Sequence, residues 1–178
     1  MNRTVSLFIA MSLDGYVADQ QGNVDWLQGM EPNQNDMLSY EEFSKNIDTV
    51  MMGWNTYHQI TTELSPKEWL YEDFVSYVLT HRELTSTSKI RFVKEDVCDL
   101  VNRLKLIEGK GIWICGGPGV IQPLLRNDLI DVIHISIIPI ILGKGIRLFE
   151  ESEKQTKLKL KETRSYNGIV DVVYEQRR

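Results

Sequence analysis

The chain is short of the residues that would assign it to a class at a glance. It has only two cysteines, Cys98 and Cys115, in 178 residues. Their spacing fits no zinc pattern, and two thiols inside apolar stretches suit a reducing compartment. There are only three histidines, His58, His81 and His134, and no His/Glu cluster at ligand spacing, so no metal centre is expected. Basic residues are outnumbered, 20 Lys and Arg against 25 Asp and Glu, for a net charge of -5. No basic stripe is visible, so nucleic acid is not an expected partner. No apolar run is long enough to cross a bilayer, and no small-residue cleavage site follows a signal-like core. The expected location is therefore the cytoplasm, with no membrane partner. No linker, internal repeat or low-complexity tract divides the chain, which predicts one domain over residues 1–178.

What is present reads as alternating strands and helices. Hydrophobic residues make up 42% and charged residues 25%, enough for a sizeable core. Val5–Ala10 is an apolar run of strand length, ending in a turn at Ser12-Leu13-Asp14-Gly15. Residues 18–33 are polar, with Trp26 and Leu27 as apolar anchors. Asn35 or Asp36 is placed to cap a helix reaching to about Lys45. Thr49–Met52 is a short buried strand that runs through Gly53 into a helix from about Asn55 to Thr61.

Further strands are expected at Phe74–Thr80, Ile90–Val93, Gly111–Cys115 and Val132–Ile138. A helix over Asp96–Ile107 would take Asp96 as its N-cap. It carries one apolar stripe, Val97, Leu100, Val101, Leu104 and Ile107. Another spans Pro118–Arg126, where proline suits the first helical position. Thr156–Tyr166 and Ile169–Glu175 alternate on either side of Asn167-Gly168, a strong hairpin signal. Together these predict an α/β fold with a mostly parallel central sheet, helices on both faces and an antiparallel C-terminal hairpin.

Three strand ends stand out. Ile112-Trp113-Ile114-Cys115 leads straight into Gly116-Gly117-Pro118-Gly119 and a helix. The first helical N–H groups lack intrahelical partners, and the helix dipole adds positive charge there, so an anion is favoured. The pattern is neither G-x-G-x-x-G nor a Walker A loop, and a tight turn without a ligand would have the same spacing. A second junction, Gly53-Trp54-Asn55-Thr56-Tyr57, repeats the design, and Thr56 would either donate to a phosphate or cap its helix. At the third, Thr80-His81-Arg82, the arginine would clasp a phosphate or sit in a solvated turn.

Taken with Ser12–Ala18 and Ile138-Pro139-Ile140-Ile141-Leu142-Gly143-Lys144-Gly145, these junctions resemble the dihydrofolate reductase superfamily. They are most similar to its branch related to the C-terminal reductase domain of bacterial riboflavin biosynthesis. The resemblance covers nearly the whole chain. It implies a three-layer dihydrofolate-reductase-like fold and NADPH as cofactor. Ala10 and Val17 match positions lining the nicotinamide. Gly53, Trp54, Asn55 and Thr56 match the helix start that holds cofactor phosphate, and Thr80, His81 and Arg82 match the loop at the adenosine end. Gly116 and Gly117 match a pair often joined by a cis peptide. With Pro118, Gly119, Val120 and Ile121 they would face the pyrophosphate. One departure is Trp54, where the family usually carries arginine.

The substrate side is thinner. Asp14 is the best acid near the expected nicotinamide pocket, for proton transfer or a substrate hydroxyl, although Asp-Gly is also an ordinary turn. Trp26, Phe43 and Trp54 would wall a pocket for a flat heterocycle or serve as core. Asp36 and Ser39 are the candidates nearest the position of the pterin-orienting carboxylate of true dihydrofolate reductases. Lys144 or Arg147 would meet a substrate phosphate. The resemblance thus implies an NADPH-dependent oxidoreductase acting on a small heterocycle, similar to 5-amino-6-(5-phosphoribosylamino)uracil reductase. A non-catalytic NADP-binding module, a true dihydrofolate reductase and a structural partner protein are the alternatives. Relatives are often homodimers, and Val132–Leu142 would contribute to an interface or form a central strand pair.

Overall fold

The computed structural model describes residues 3–31, 34, 37–152 and 154–177. The N-cap expected at Asn35 or Asp36 lies outside the described residues, as does the substrate-site candidate Asp36. Ten strands and four α-helices follow in chain order. They are β1 (Val5–Ser12), β2 (Tyr16–Ala18), α1 (Leu38–Ser44), β3 (Ile47–Gly53) and α2 (Trp54–Gln59). Next come β4 (Val75–Leu79), β5 (Ile90–Val93), α3 (Val97–Lys105), β6 (Gly111–Gly116) and α4 (Pro118–Arg126). The chain closes with β7 (Val132–Ile138), β8 (Ile146–Arg147), β9 (Leu158–Tyr166) and β10 (Ile169–Gln176). A π-helical turn, Ile60–Leu64, extends α2.

Eight strands form one sheet in the order β5-β4-β3-β6-β1-β7-β10-β9. Pairing is parallel from β5 through to β7 and antiparallel at β7–β10 and β10–β9. β2 and β8 make a separate two-stranded ribbon. This is the mostly parallel α/β sheet with an antiparallel C-terminal hairpin that the sequence predicts. β7 is paired on both sides, so the Val132–Ile138 segment is an interior strand of the sheet.

Alternation along the strands sends side chains to two cores. On one face Leu7, Met51, Ile112 and Ile114 pack against the stripes of α3 and α4, among them Leu100, Leu104, Ile121 and Leu124. On the other, Val50, Met52, Val78 and Trp113 pack with Tyr40 and Phe43 of α1 and Trp54 and Tyr57 of α2. Helices thus cover both faces, giving three layers. The Asp96 carboxylate accepts from the amides of Cys98 and Asp99 and caps α3. α3 stops at Lys105, sooner than its periodicity suggests, and Ile107 is half exposed beyond it. That residue leaves the apolar stripe because the last turn unwinds before Gly109.

The loop over residues 19–31 is fastened at two points. Gln59 of α2 donates to the Gly22 carbonyl at 2.8 Å. At the far end the Met30 amide donates to the Asn167 carbonyl at 2.8 Å, and the Glu31 amide to the Asn167 side chain at 2.7 Å. Gly168 has φ +77, and a Cβ there would press into Met30. The hairpin turn therefore grips the loop from below.

Leu124 is fully buried between α4 and the sheet, whereas Leu106 is 84% exposed. Leu124→Ala is expected to cost about 2–5 kcal/mol through lost burial and a residual cavity, and Leu106→Ala less than about 0.5 kcal/mol. Urea unfolding of the two variants checks this.

Candidate active site

Parallel pairing brings three strand ends to one edge. Gly53 is level with Leu79, and Met52 with Gly116. The junctions after β3, β4 and β6 therefore lie side by side at the carboxyl edge, where ligands of open α/β sheets gather.

The β6 junction is backbone-built. The Gly116–Gly117 peptide is cis, as the resemblance implies. Gly116 has φ +139, a region that side-chain-bearing residues rarely enter. Gly117 is the N-cap of α4 and brings no capping side chain, and Pro118 opens the helix. A Cβ placed on Gly119 would meet nothing within 4 Å. The start of α4 is thus open at Gly119, while the Val120 and Ile121 amides donate to the Gly117 carbonyl and Pro118 has no N–H.

The second junction packs onto the first. A Cβ on Gly117 would lie 3.6 Å from the Thr56 hydroxyl, and one on Gly116 3.8 Å from it. A Cβ on Gly53 would touch Val120 at 3.4 Å. The N-cap of α2 is Gly53, and no side-chain bond caps the helix there. The third junction joins through Trp54. The Arg82 guanidinium carbon lies 4.7 Å from the Trp54 ring centroid, in cation–π range. Tryptophan in place of the usual arginine thus carries an arginine from the neighbouring strand end. The Thr80 hydroxyl accepts from the Arg82 amide at 3.2 Å and shapes that turn, while His81 and Arg82 are exposed.

Ile9 of β1 also reaches this edge, 3.7 Å from a Cβ on Gly116. Ala10 follows it, half-buried, and Val17 packs on the α3–α4 core. Asp14, the candidate for proton transfer or a substrate hydroxyl, is hydrogen-bonded within the protein. Its Oδ1 accepts from the Ser12 hydroxyl at 2.7 Å and the Leu142 amide at 3.0 Å, and its Oδ2 from the Gly143 amide at 2.7 Å. Desolvation pushes its pKa up, but Ser12 and the Gly143 and Leu142 amides outweigh this and hold it below the usual value. The carboxylate stays ionised and fastens the 140–145 loop. Arg147 lies over the Tyr16 ring at 5.1 Å on the β2–β8 ribbon, and Lys144 is exposed in the same loop.

The three substrate-side candidates separate. Trp26 is held within its own loop by a bond from its Nε1 to the Asn23 carbonyl. Ser39 and Phe43 line a cleft of about 190 Å³ beneath α1. At its inner end lies Asp171 of β10, which the sequence reading missed. The hydroxyls of Ser39, Ser136 and Tyr166 all donate to its carboxylate, Ser136 at 2.6 Å and Tyr166 at 3.2 Å. His134 Nε2 stands 3.6 Å from Oδ2. Burial alone would raise the Asp171 pKa. His134 and the serine hydroxyls outweigh it and bring it from 3.8 down to about 2. The clue in the sequence was a lone acid at an inward-facing position of the run Ile169-Val170-Asp171-Val172-Val173. Among the described residues no group of three or more His, Cys, Asp or Glu is arranged to hold a metal ion.

The class is α/β, a mostly parallel eight-stranded sheet with helices on both faces, an antiparallel C-terminal hairpin and three strand ends side by side at its carboxyl edge. The chain belongs to the RibD C-terminal domain family, whose model matches residues 3–174. It is 35% identical over 175 residues to the uncharacterized protein YwjB of Bacillus subtilis (strain 168), covering 98% of each chain. It also resembles the solved structure of a "Putative riboflavin biosynthesis protein" from Shewanella sp. PV-4. That likeness has a TM-score of 0.83 and 30% identity, and covers 98% of this chain and 99% of the other. A Thermotoga maritima diaminohydroxyphosphoribosylaminopyrimidine deaminase/5-amino-6-(5-phosphoribosylamino)uracil reductase shares the fold at TM-score 0.70 and 18% identity. There 98% of this chain matches 57% of that one.

Because the Asp171 pKa is depressed in the fold, its contribution to stability is whole above about pH 4 and is lost as pH falls towards about pH 2. Wild type is expected to lose stability more steeply than Asp171→Asn across that window. Urea midpoints at a series of pH values measure it, and equal slopes would remove Asp171 as the source.

Proposed function

We propose that the protein is an NADPH-dependent oxidoreductase that transfers hydride to a small pyrimidine-like or pterin-like heterocycle. The observation that carries this is the convergence of three strand ends, with Thr56 over Gly116–Gly117 and Arg82 over Trp54. The residues fit the cofactor. Gly116, Gly117 and Gly119 offer bare backbone to a pyrophosphate, with Pro118, Val120 and Ile121 in the same turn, and Gly53–Thr56 bound it from the neighbouring strand. Thr80, His81 and Arg82 sit where a phosphate on the adenosine ribose would need a cation. Ala10 and Val17 belong to the strand and ribbon beside them, on the nicotinamide side. NADPH, when bound, supplies the hydride, and the chain supplies binding, orientation and exclusion of water.

In this reading Trp54 holds Arg82 in place by stacking and takes over a role that a directly inserted arginine would play. Asp14 keeps the 140–145 loop against β1, so the wall of the pocket is fixed. Two free thiols, Cys98 and Cys115, and the lack among described residues of a helix long and apolar enough to cross a membrane are compatible with the cytoplasm. Leu158, Leu160 and Val170 are exposed on one face of the last hairpin and favour a homodimer, which light scattering on a gel-filtration peak reads directly.

A non-catalytic NADP-binding module is the second reading, favoured by the commitment of Asp14 to its loop. Fluorescence titration with NADPH, followed by NADPH oxidation at 340 nm over a panel of pyrimidines and pterins, separates the two. Binding with turnover supports the reductase, binding without it the module, and no binding at millimolar NADPH refutes both. Arg82→Ala is expected to weaken NADPH by about tenfold, about 1.4 kcal/mol, and to leave NADH nearly unchanged.

A further inference from the structure

We infer that the cleft beneath α1 seats a flat nitrogen heterocycle that donates an N–H to Asp171 and accepts at a ring nitrogen from His134. The inference deepens the reductase reading, and rests on it for one thing only, that this heterocycle is the substrate's.

Hydrogen-bond capacity is the first ground. A carboxylate offers about four acceptor positions. Three are filled by hydroxyls, from Ser136 and Tyr166 on Oδ1 and Ser39 on Oδ2. The remaining one is on Oδ2, the oxygen that stands 3.6 Å from His134 Nε2. That nitrogen is buried and has no hydrogen-bond partner. Two adjacent polar groups thus have unfilled capacity, and both line the cleft. Buried polar groups are nearly always satisfied, so an occupant with hydrogen-bonding groups is called for.

Shape and charge narrow the occupant. Phe43, Val132 and Val173 supply apolar walls. Phe43 is held flat by stacking on Phe8, with centroids 4.5 Å apart and planes 22° apart. A ring fits between such walls. The volume of about 190 Å³ exceeds the roughly 30 Å³ share of one water several times over, so one bridging water would leave the space unfilled. Glu42 and Glu162 stand at the mouth with one cation, Arg164, which is paired to both. With Asp171 inside, the cleft favours amino-substituted or protonated bases and disfavours anions.

Position is the second, independent ground. Ala10 is in register with Ser136, and Ser136 with Asp171. The carboxylate therefore lies two strands across from Ala10 on the same face, roughly 10 Å away by ordinary strand spacing. A ring held at Asp171 can carry a pendant group towards Ala10 and the glycine edge. Asp171 is thus a substrate-binding residue, and Ser39 and Ser136 position it.

The test uses 2,4-diaminopyrimidine as probe and 2,4-dimethoxypyrimidine, which lacks N–H donors, as control. Both are titrated into the cofactor-free protein by calorimetry while the His134 ring is followed by NMR. The diamino probe is expected to bind and shift His134, and the dimethoxy compound to bind at least tenfold more weakly. Asp171→Asn is expected to weaken the diamino probe by tenfold or more. Val173→Trp, which fills the cleft, should abolish its binding and decides the matter if Asp171→Asn does not fold. Equal affinity for both pyrimidines, no His134 shift, or undiminished binding to Val173→Trp would overturn the inference. NADPH is titrated in parallel. NADPH binding without probe binding refutes the cleft and leaves the reductase reading standing, and the reverse result does the opposite.

Discussion

Everything at the candidate site depends on the parallel register of β3, β4 and β6. Parallel strands point their carbonyl ends the same way, so junctions distant in sequence arrive at one edge. Gly53 is level with Leu79, and Met52 with Gly116, because hydrogen bonding between neighbouring strands leaves little freedom to slide once both faces are buried. The two cores, one under α3 and α4 and the other under α1 and α2, enforce that register. Packing far from any ligand thereby sets the spacing of the groups that would meet it.

The glycine-bearing carboxyl edge and the α1 cleft are built from different materials. The edge is mostly backbone, with glycines that let a ligand come close. The cleft is mostly side chain, with a carboxylate surrounded by hydroxyl donors. A backbone cradle tolerates many sequences around it, whereas a carboxylate–hydroxyl cluster requires particular partners.

Much of the fold was legible in the sequence because its signals are local. Asn167-Gly168 marks the hairpin, Asp96 caps its helix through neighbouring amides, and Pro118 opens α4. The glycine junctions were legible for the same reason. What escaped depends on contacts between distant residues. Asp14 looks like an acid at a strand end, yet its partners lie 128 and 129 residues further on. Asp171 draws its hydroxyls from residues 132 and 35 positions away. The two-residue strand β8 has no periodicity to detect, and the stacking of Arg82 on Trp54 exists only once two strands are neighbours. Ile107 shows the opposite failure, where a sound helical period outlasts the helix.

The grip of the β9–β10 turn on Met30 and Glu31 has a mechanical side. Asn167 sits four residues from Asp171, on the same hairpin, and holds one end of the 19–31 loop while Gln59 holds the other. The loop is a strap buckled to two parts of the frame, and one buckle is rigidly joined to the carboxylate. The hydrogen bonds that fasten one end of the loop and those that hold the Asp171 carboxylate therefore belong to one hairpin.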